Sequence, residues 1–134
     1  MSLIVDASVA VKWFFREPDC DAALALKQQD ADFIAPELII AEIGSAAWKK
    51  RMRNEIDAAQ AVFVMRQAPL LFSSLVPLTE LAEAAMQLSA TLPHPIYDCF
   101  YLALAERERA PIVSADAKLL AAAKRVNGIE ARTL

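Results

Sequence analysis

Short apolar segments that alternate with stretches of helical pattern constrain the fold of this chain more than any other feature. The first is LIV at residues 3–5, and the segment IVSAD at 112–116 has the same character. Neither alternates apolar and polar residues, as a strand with one face in water does. Such strands, separated by helices, predict a parallel sheet that helices cover on both faces. We therefore expect an α/β fold with three layers, α/β/α, around about five short strands.

The periodicity of the remaining chain predicts the other elements. Pro36 is expected to open a long helix, Thr79 to cap another, and Pro111 to end a proline-led helix over 93–109. Asn127 and Gly128 form a turn signal before the last strand. The expected helices cover 9–15, 21–29, 36–53, 56–67, 79–91, 93–109 and 117–126, and the remaining strands lie at 33–35, within 71–78 and at 129–133.

Size and composition fit one soluble domain over residues 1–134. The chain is 57% hydrophobic with a mean hydropathy of +0.31, so much helix surface should be buried, some of it against a partner. No apolar run is long enough to cross a membrane, and Met1 leads directly into the first strand without a signal segment. We expect a cytoplasmic protein whose two cysteines, Cys20 and Cys99, are free thiols.

The net charge of −3 does not by itself suggest a nucleic acid partner. A cluster of carboxylates around a metal ion, however, makes whole-chain charge a poor guide to affinity for a polyanion. The one basic block runs from Lys49 to Arg53. It is interpreted as a solvated helix end, where cations complement the helix dipole, in preference to a nucleic acid contact.

Four acidic residues interrupt apolar segments, unlike the other acids of the chain. Two of them end predicted strands, and two lie on apolar helix faces. A carboxylate in apolar surroundings is costly unless it is paired or binds a metal ion, and Lys12 is the nearest cation in sequence. An N-capping role is an alternative for the first of them. The four residues are Asp6, Glu42, Asp98 and Asp116.

Converging carboxylates suit a hard divalent cation, Mg²⁺ or alternatively Mn²⁺. Such an ion could activate water and stabilise the charge of an attacked phosphodiester. The chain has no glycine-rich phosphate loop, no nucleophile elbow and no HExxH motif. Its single histidine, His94, lies between two prolines and is interpreted as a turn residue in preference to a ligand or base.

In this order and setting the four acids resemble the PIN-domain ribonucleases, in particular the toxins of VapBC-type toxin–antitoxin pairs. The resemblance spans the whole chain and implies an Mg²⁺-dependent endoribonuclease. The matching stretches are IVDASVAVKWF with Asp6, PELIIAEIGSAAW with Glu42, IYDCFYLALAE with Asp98 and IVSADAKLL with Asp116.

The resemblance assigns these four acids to the metal site and to catalysis. Ser8 matches a hydroxyl position of the family and could orient Asp6 or a metal-bound water, or cap the helix. Leu119 stands where many members carry another acid, which favours a single metal ion.

The resemblance also implies partners: an RNA substrate, a VapB-like antitoxin and a second copy of the chain in a homodimer. The dimer is further expected because Trp13, Phe14, Phe15 and Trp48 offer more apolar surface than a small sheet can cover. Two other functions stay open, a non-catalytic PIN-fold module that binds RNA or protein, and an aspartate-based phosphatase. The phosphatase usually needs a second acid two residues after the first, where this chain has Ser8.

Overall fold

A parallel five-stranded sheet forms the centre of the molecule in the computed structural model, which describes residues 1–134, and helices flank it. This confirms the predicted three-layer α/β/α fold. The strands are β1 Ser2–Val5, β2 Asp32–Pro36, β3 Ser74–Val76, β4 Ile112–Ser114 and β5 Ala131–Thr133. The helices are α1 Ala7–Ala10, α2 Cys20–Lys27, α3 Leu38–Met52, α4 Ala58–Gln67, α5 Leu78–Thr91, α6 Ile96–Glu108 and α7 Ala117–Lys124.

The strand order β3-β2-β1-β4-β5 places the first strand at the centre of the sheet. From β1 the chain builds outward through β2 and β3, and then returns to the other side of β1 for β4 and β5. Val5 pairs with Val113, so β1 and β4 end side by side. In open parallel sheets a ligand site lies where the strand order reverses, at the carboxyl ends of the strands. Here that position is the end of β1 and β4.

Strand β1 and helix α6 supply the most deeply buried apolar side chains. Leu3, Ile4 and Val5 are completely buried, as are Leu102 and Leu104 of α6. Buried apolar surface contributes about 25 cal/mol per Å², so these elements account for much of the stability. The end of β1 that precedes Asp6 is therefore anchored in the core.

Some of the aromatic residues that the sequence analysis assigned to a dimer surface belong to the core of the monomer. Trp13 packs against Phe33 with ring centroids 5.2 Å apart, and its indole N–H donates to the carbonyl of Ala23 at 2.8 Å. Phe15 is also buried, whereas Trp48 is 60% exposed. Of the aromatic residues cited for a dimer surface, Trp13 and Phe15 were therefore assigned wrongly.

Several predicted element boundaries differ from the structure, and three of the differences have a clear physical reason. Helix α1 begins at Ala7 and continues as a 3₁₀ turn from Val11, because Asp6 caps it. Pro36 is the last residue of β2 and pairs with Val76, since a proline at a strand end leaves no ladder donor missing from the interior. Thr79 lies inside the first turn of α5 and makes no cap, because the helix starts one residue earlier, after Pro77.

The other elements lie close to their predicted positions. Gly128 has a φ of +86° in the turn between α7 and β5, a conformation that favours glycine. Both cysteines are free, as expected. No helix combines the length and the apolar composition that crossing a membrane requires.

Candidate active site

Asp6 follows β1 directly and is only 5% exposed. Its Oδ1 accepts a hydrogen bond of 2.6 Å from the hydroxyl of Ser8 and a longer one, 3.4 Å, from the amide of Val9. Its Oδ2 accepts a bond of 2.8 Å from the hydroxyl of Ser114. Asp6 can therefore cap α1 and also belong to a site at the end of the sheet, because the same carboxylate does both.

The two serines connect Asp6 to the end of β4. Ser114 accepts from the amide of Asp116 at 2.9 Å, and Ser8 accepts from the amide of Ala115 at 2.9 Å. Each hydroxyl has a single proton, and geometry directs both protons at Asp6. The backbone amides fix the serines, so the orientation of the carboxylate is set from two sides.

Asp116 lies beyond the end of β4 and is exposed. Its Oδ1 accepts from the amides of Lys118 at 2.9 Å and Leu119 at 3.5 Å, so the side chain caps α7. The sequence placed this acid at the strand end, whereas the strand stops two residues earlier at Ser114. A cap leaves the second carboxylate oxygen of Asp116 without a protein donor.

Glu42 is half-buried in α3 and has one protein partner. The phenol of Tyr101, from α6, donates to its Oε1 at 2.6 Å. Tyr101 is 1% exposed, and burial together with the neighbouring Glu42 raises the pKa of its phenol well above the usual value. The phenol therefore keeps its proton and remains a donor to this carboxylate.

Asp98 lies in the first turn of α6 and contacts His94, four residues earlier. The Oδ2 atom of Asp98 is 2.7 Å from Nε2 of His94. The hydroxyl of Ser89 donates to the carbonyl of His94 at 2.7 Å, which holds this loop residue in place. His94 is therefore more than the turn residue the sequence indicated, because its ring orients one of the four acids.

Electrostatics connects all four acids across the strand ends. Burial raises the pKa of Asp6 from 3.8 to about 6, against the opposing effect of the Ser8 and Ser114 hydrogen bonds, and the charge of Asp116 adds to the rise. Burial also raises the pKa of Glu42, with further contributions from Asp6 and Asp98. Carboxylates whose charges raise the pKa of Asp6 and Glu42 in this way lie close enough to repel them, and a bound cation would relieve this repulsion.

No lysine or arginine neutralises this group. The cation nearest in sequence, Lys12, is 3.6 Å from Glu17 and donates to the carbonyl of Pro18 at 2.9 Å. Every ion pair of the structure that involves lysine or arginine lies elsewhere. The structural alternative of lysine or arginine partners for these four acids is thus not supported.

The donor set fits a hard divalent cation in chemistry, since it consists of carboxylate oxygens without a compensating cation. The side chains do not, as they stand, bring three potential ligands together at one point. Asp116 points to the start of α7 and Asp98 to His94. At least one of the two would have to turn toward Asp6 before three ligands could share one ion.

Three residues of this site were not recognised as such from the sequence: Ser114, Tyr101 and His94. Ser114 is a fully buried hydroxyl at a strand end, and its place in IVSAD was a usable signal. Tyr101 follows Asp98 by three residues and therefore lies one helical turn away. Its partner is 59 residues distant in sequence, a contact that local pattern cannot reveal.

Comparisons with known proteins agree with this architecture. The family model of the PIN domain matches residues 3–125. No curated protein sequence matches the chain.

Solved structures share the fold at low sequence identity. PAE2754 from Pyrobaculum aerophilum is 23% identical with a TM-score of 0.67, over 98% of this chain and 83% of that one. FitAcB from Neisseria gonorrhoeae is 13% identical with a TM-score of 0.67, over 97% and 96%. VapBC2 from Rickettsia felis, bound to a promoter DNA fragment, is 14% identical with a TM-score of 0.66, over 100% and 99%. With the family model matching nearly its whole length, the chain belongs to the PIN domain family.

Proposed function

We propose that this protein is an Mg²⁺-dependent endoribonuclease that uses Asp6, Glu42, Asp98 and Asp116. One observation carries the proposal: Asp6 is buried at the centre of the sheet end, has a raised pKa and has no cationic partner. Such a carboxylate costs stability in the free protein, and a divalent cation offsets that cost. Membership of the PIN domain family supports nuclease chemistry at this position.

The four acids would hold Mg²⁺, and Mn²⁺ is an alternative with the same ligand preference. When bound, the ion supplies a water of lowered pKa and stabilises negative charge on the attacked phosphodiester. The protein's own contribution is orientation. Ser8 and Ser114 fix Asp6 from two sides, and Tyr101 fixes Glu42. Preorganised ligands of this kind lose little entropy when the site is filled.

His94 belongs to the same supporting group. Its Nε2 holds Oδ2 of Asp98 at 2.7 Å, which leaves Oδ1 free of protein partners. Asp98 can therefore offer one oxygen to a cation while the ring keeps the other in place. Partners of metal ligands commonly fix ligand orientation in this way.

A toxin role with a VapB-like antitoxin is the biological setting we propose. Its support is the likeness to VapBC2 and FitAcB, together with exposed apolar side chains on α3 and α4, namely Trp48, Met52, Val62 and Phe63. We propose that the protein, its antitoxin and its RNA substrate are all in the cytoplasm. The same apolar side chains are our reason for keeping the homodimer as a proposal.

The direct test is to incubate purified, partner-free protein with total RNA and Mg²⁺ and to map the cut ends. We expect internal cuts that EDTA abolishes and Mn²⁺ restores. Asp6→Asn and Glu42→Gln should remove cleavage. The matched controls Asp30→Asn and Glu83→Gln change the same groups at exposed positions away from the site and should cleave normally.

Metal binding has an independent measurement, the rise in melting temperature on adding Mg²⁺ or Mn²⁺ to the RNA-free protein. The wild type should be stabilised, and Asp6→Asn should not. RNA binding without cleavage would favour the non-catalytic module instead. Release of phosphate from a small phosphomonoester without cuts in RNA would favour the phosphatase. Both oxygens of Asp6 already accept hydroxyl protons, which argues against its use as a nucleophile.

Oligomeric state and partner have separate tests. Sedimentation equilibrium at micromolar concentration should show a dimer, and only monomer would refute it. Expression of the protein alone should be toxic, and a neighbouring small protein should co-purify and relieve the toxicity. If expression is harmless and no such protein binds, the toxin proposal fails while the nuclease proposal can still stand.

A further inference from the structure

A cavity of about 370 Å³ opens beside the acids, between α6 and α7. Two of the four acids, Asp98 and Asp116, are in its wall. The rest of the wall includes His94 and two cations, Lys118 in the first turn of α7 and Arg125 at the C-cap of that helix. Acids and cations thus share one cavity at the edge of the candidate site.

The two cations are not there to neutralise the acids. Neither Lys118 nor Arg125 takes part in an ion pair anywhere in the structure. Arg125 donates one hydrogen bond from Nη1 to the carbonyl of Leu92 at 3.2 Å. Its guanidinium keeps further N–H donors, because the group has five in all.

The position of Lys118 adds to the argument. It lies in the first turn of α7, where the helix dipole disfavours a cation, whereas Arg125 at the other end is favoured by the same dipole. Helix stability therefore does not explain Lys118. An anion bound in the cavity would explain both residues.

We propose that this cavity is a subsite for the sugar–phosphate backbone of single-stranded RNA, in which Lys118 and Arg125 bind phosphates that flank the cleaved one. This inference rests on the proposed ribonuclease function and assigns a place on the protein to the RNA backbone.

Lys118 and Arg125 are seven residues, or roughly 10.5 Å, apart along α7, so they reach different phosphates. The small side chains of Ala121 and Ala122 line the wall between them and leave room for the chain. A line of separated cations suits a polymer of repeating charge better than it suits a single anion.

The experiment measures binding of a short labelled single-stranded RNA in EDTA over a range of salt concentrations. Lys118→Gln and Arg125→Gln should each weaken binding several-fold and reduce the slope of log K against log salt by about 0.7. Lys124→Gln is the matched control, since Lys124 is an exposed cation of the same helix outside the cavity wall. Its effect on affinity should be clearly smaller.

Arg125→Lys separates charge from structure, because Arg125 also holds the carbonyl of Leu92. This variant keeps the charge and should retain most of the affinity. Loss of affinity in Arg125→Lys as large as in Arg125→Gln would count against a phosphate contact. The losses should be alike for RNAs of different sequence, and a loss confined to one sequence would contradict backbone recognition.

The outcomes separate this inference from the proposed function. If the wild type cleaves RNA but Lys118→Gln and Arg125→Gln bind like the wild type, the subsite is refuted and the nuclease stands. If the wild type binds RNA with these salt effects but never cleaves it, the subsite stands and the nuclease is refuted. If the wild type neither binds nor cleaves RNA, both are wrong. Binding of an acidic peptide that depends on Lys118 and Arg125, without RNA binding, would assign the cavity to a protein partner and overturn the inference.

Discussion

The hydroxyl of Ser114 donates a 2.8 Å hydrogen bond to the carboxylate of Asp6, 108 residues earlier in the chain. The Oγ atom of Ser114 also accepts a hydrogen bond from the amide of Asp116, so one buried hydroxyl connects two of the four acids. The parallel pairing of β1 with β4 makes this contact possible. The orientation of the central acid thus depends on the packing of the sheet.

Replacing Ser114 with alanine should destabilise the protein and weaken the site. A buried hydrogen bond to a charged group contributes about 1.5–3 kcal/mol, so the free energy of unfolding should fall by about that amount at pH 7. Cleavage should fall because Asp6 loses one of its two fixed hydroxyl donors. Urea unfolding and cleavage rate measure the two effects. Ser114→Thr, which keeps the hydroxyl, should retain more activity than Ser114→Ala, and equal loss in both would indicate a packing role only.

The metal-free protein should lose stability as the pH rises from about 4 to 6. Asp6 has a pKa of about 6 when folded against 3.8 as the ordinary value, so in this range the folded protein holds a proton that the unfolded chain has released. The free energy of unfolding therefore falls with increasing pH and becomes level about one pH unit above the folded pKa of Asp6. The expected contribution is about 3 kcal/mol.

Urea unfolding in EDTA between pH 4 and 8 isolates this contribution when the wild type is compared with Asp6→Asn. The variant should lack the corresponding part of the slope and should be at least as stable as the wild type at pH 7. Mg²⁺ should stabilise the wild type more at pH 7 than at pH 5, because it binds the ionised carboxylate. A wild type and variant with parallel pH profiles would contradict the raised pKa.

Those parts of the fold and of the candidate site that depend on local sequence pattern could be predicted. The apolar strands with acids after them predicted the parallel sheet and the location of Asp6 and Asp116 at its end. Tyr101 and Ser114 were not identified because their partners are 59 and 108 residues away, and strand order decides such contacts. The cap assigned to Thr79 was wrong because the helix already starts at Leu78, directly after Pro77.

Tyr101→Phe should preserve the fold and reduce cleavage. The substitution keeps the buried ring but removes the only protein donor to Glu42, so its carboxylate loses orientation and its pKa should rise further. We expect a loss of about 1–2 kcal/mol in stability and a lower apparent affinity for Mg²⁺. Metal titrations followed by melting temperature measure the affinity. Phe100→Leu, a change in the neighbouring half-buried ring, serves as the control and should leave Mg²⁺ affinity unchanged.

Asp98→Asn separates a metal ligand from a structural ion pair, since the side chain contacts His94 and also raises the pKa of Glu42. If Asp98 is a metal ligand, removing its charge should reduce the rate of RNA cleavage by several orders of magnitude. In the absence of metal, the free energy of unfolding should change by less than about 1 kcal/mol, because relief of repulsion among the acids offsets the loss of the partly buried His94 contact. His94→Gln keeps a hydrogen-bond donor near Asp98 and should reduce cleavage far less. Melting in EDTA and RNA cleavage with Mg²⁺ measure both variants, and retained cleavage in Asp98→Asn with a large loss of stability would remove Asp98 from the catalytic group.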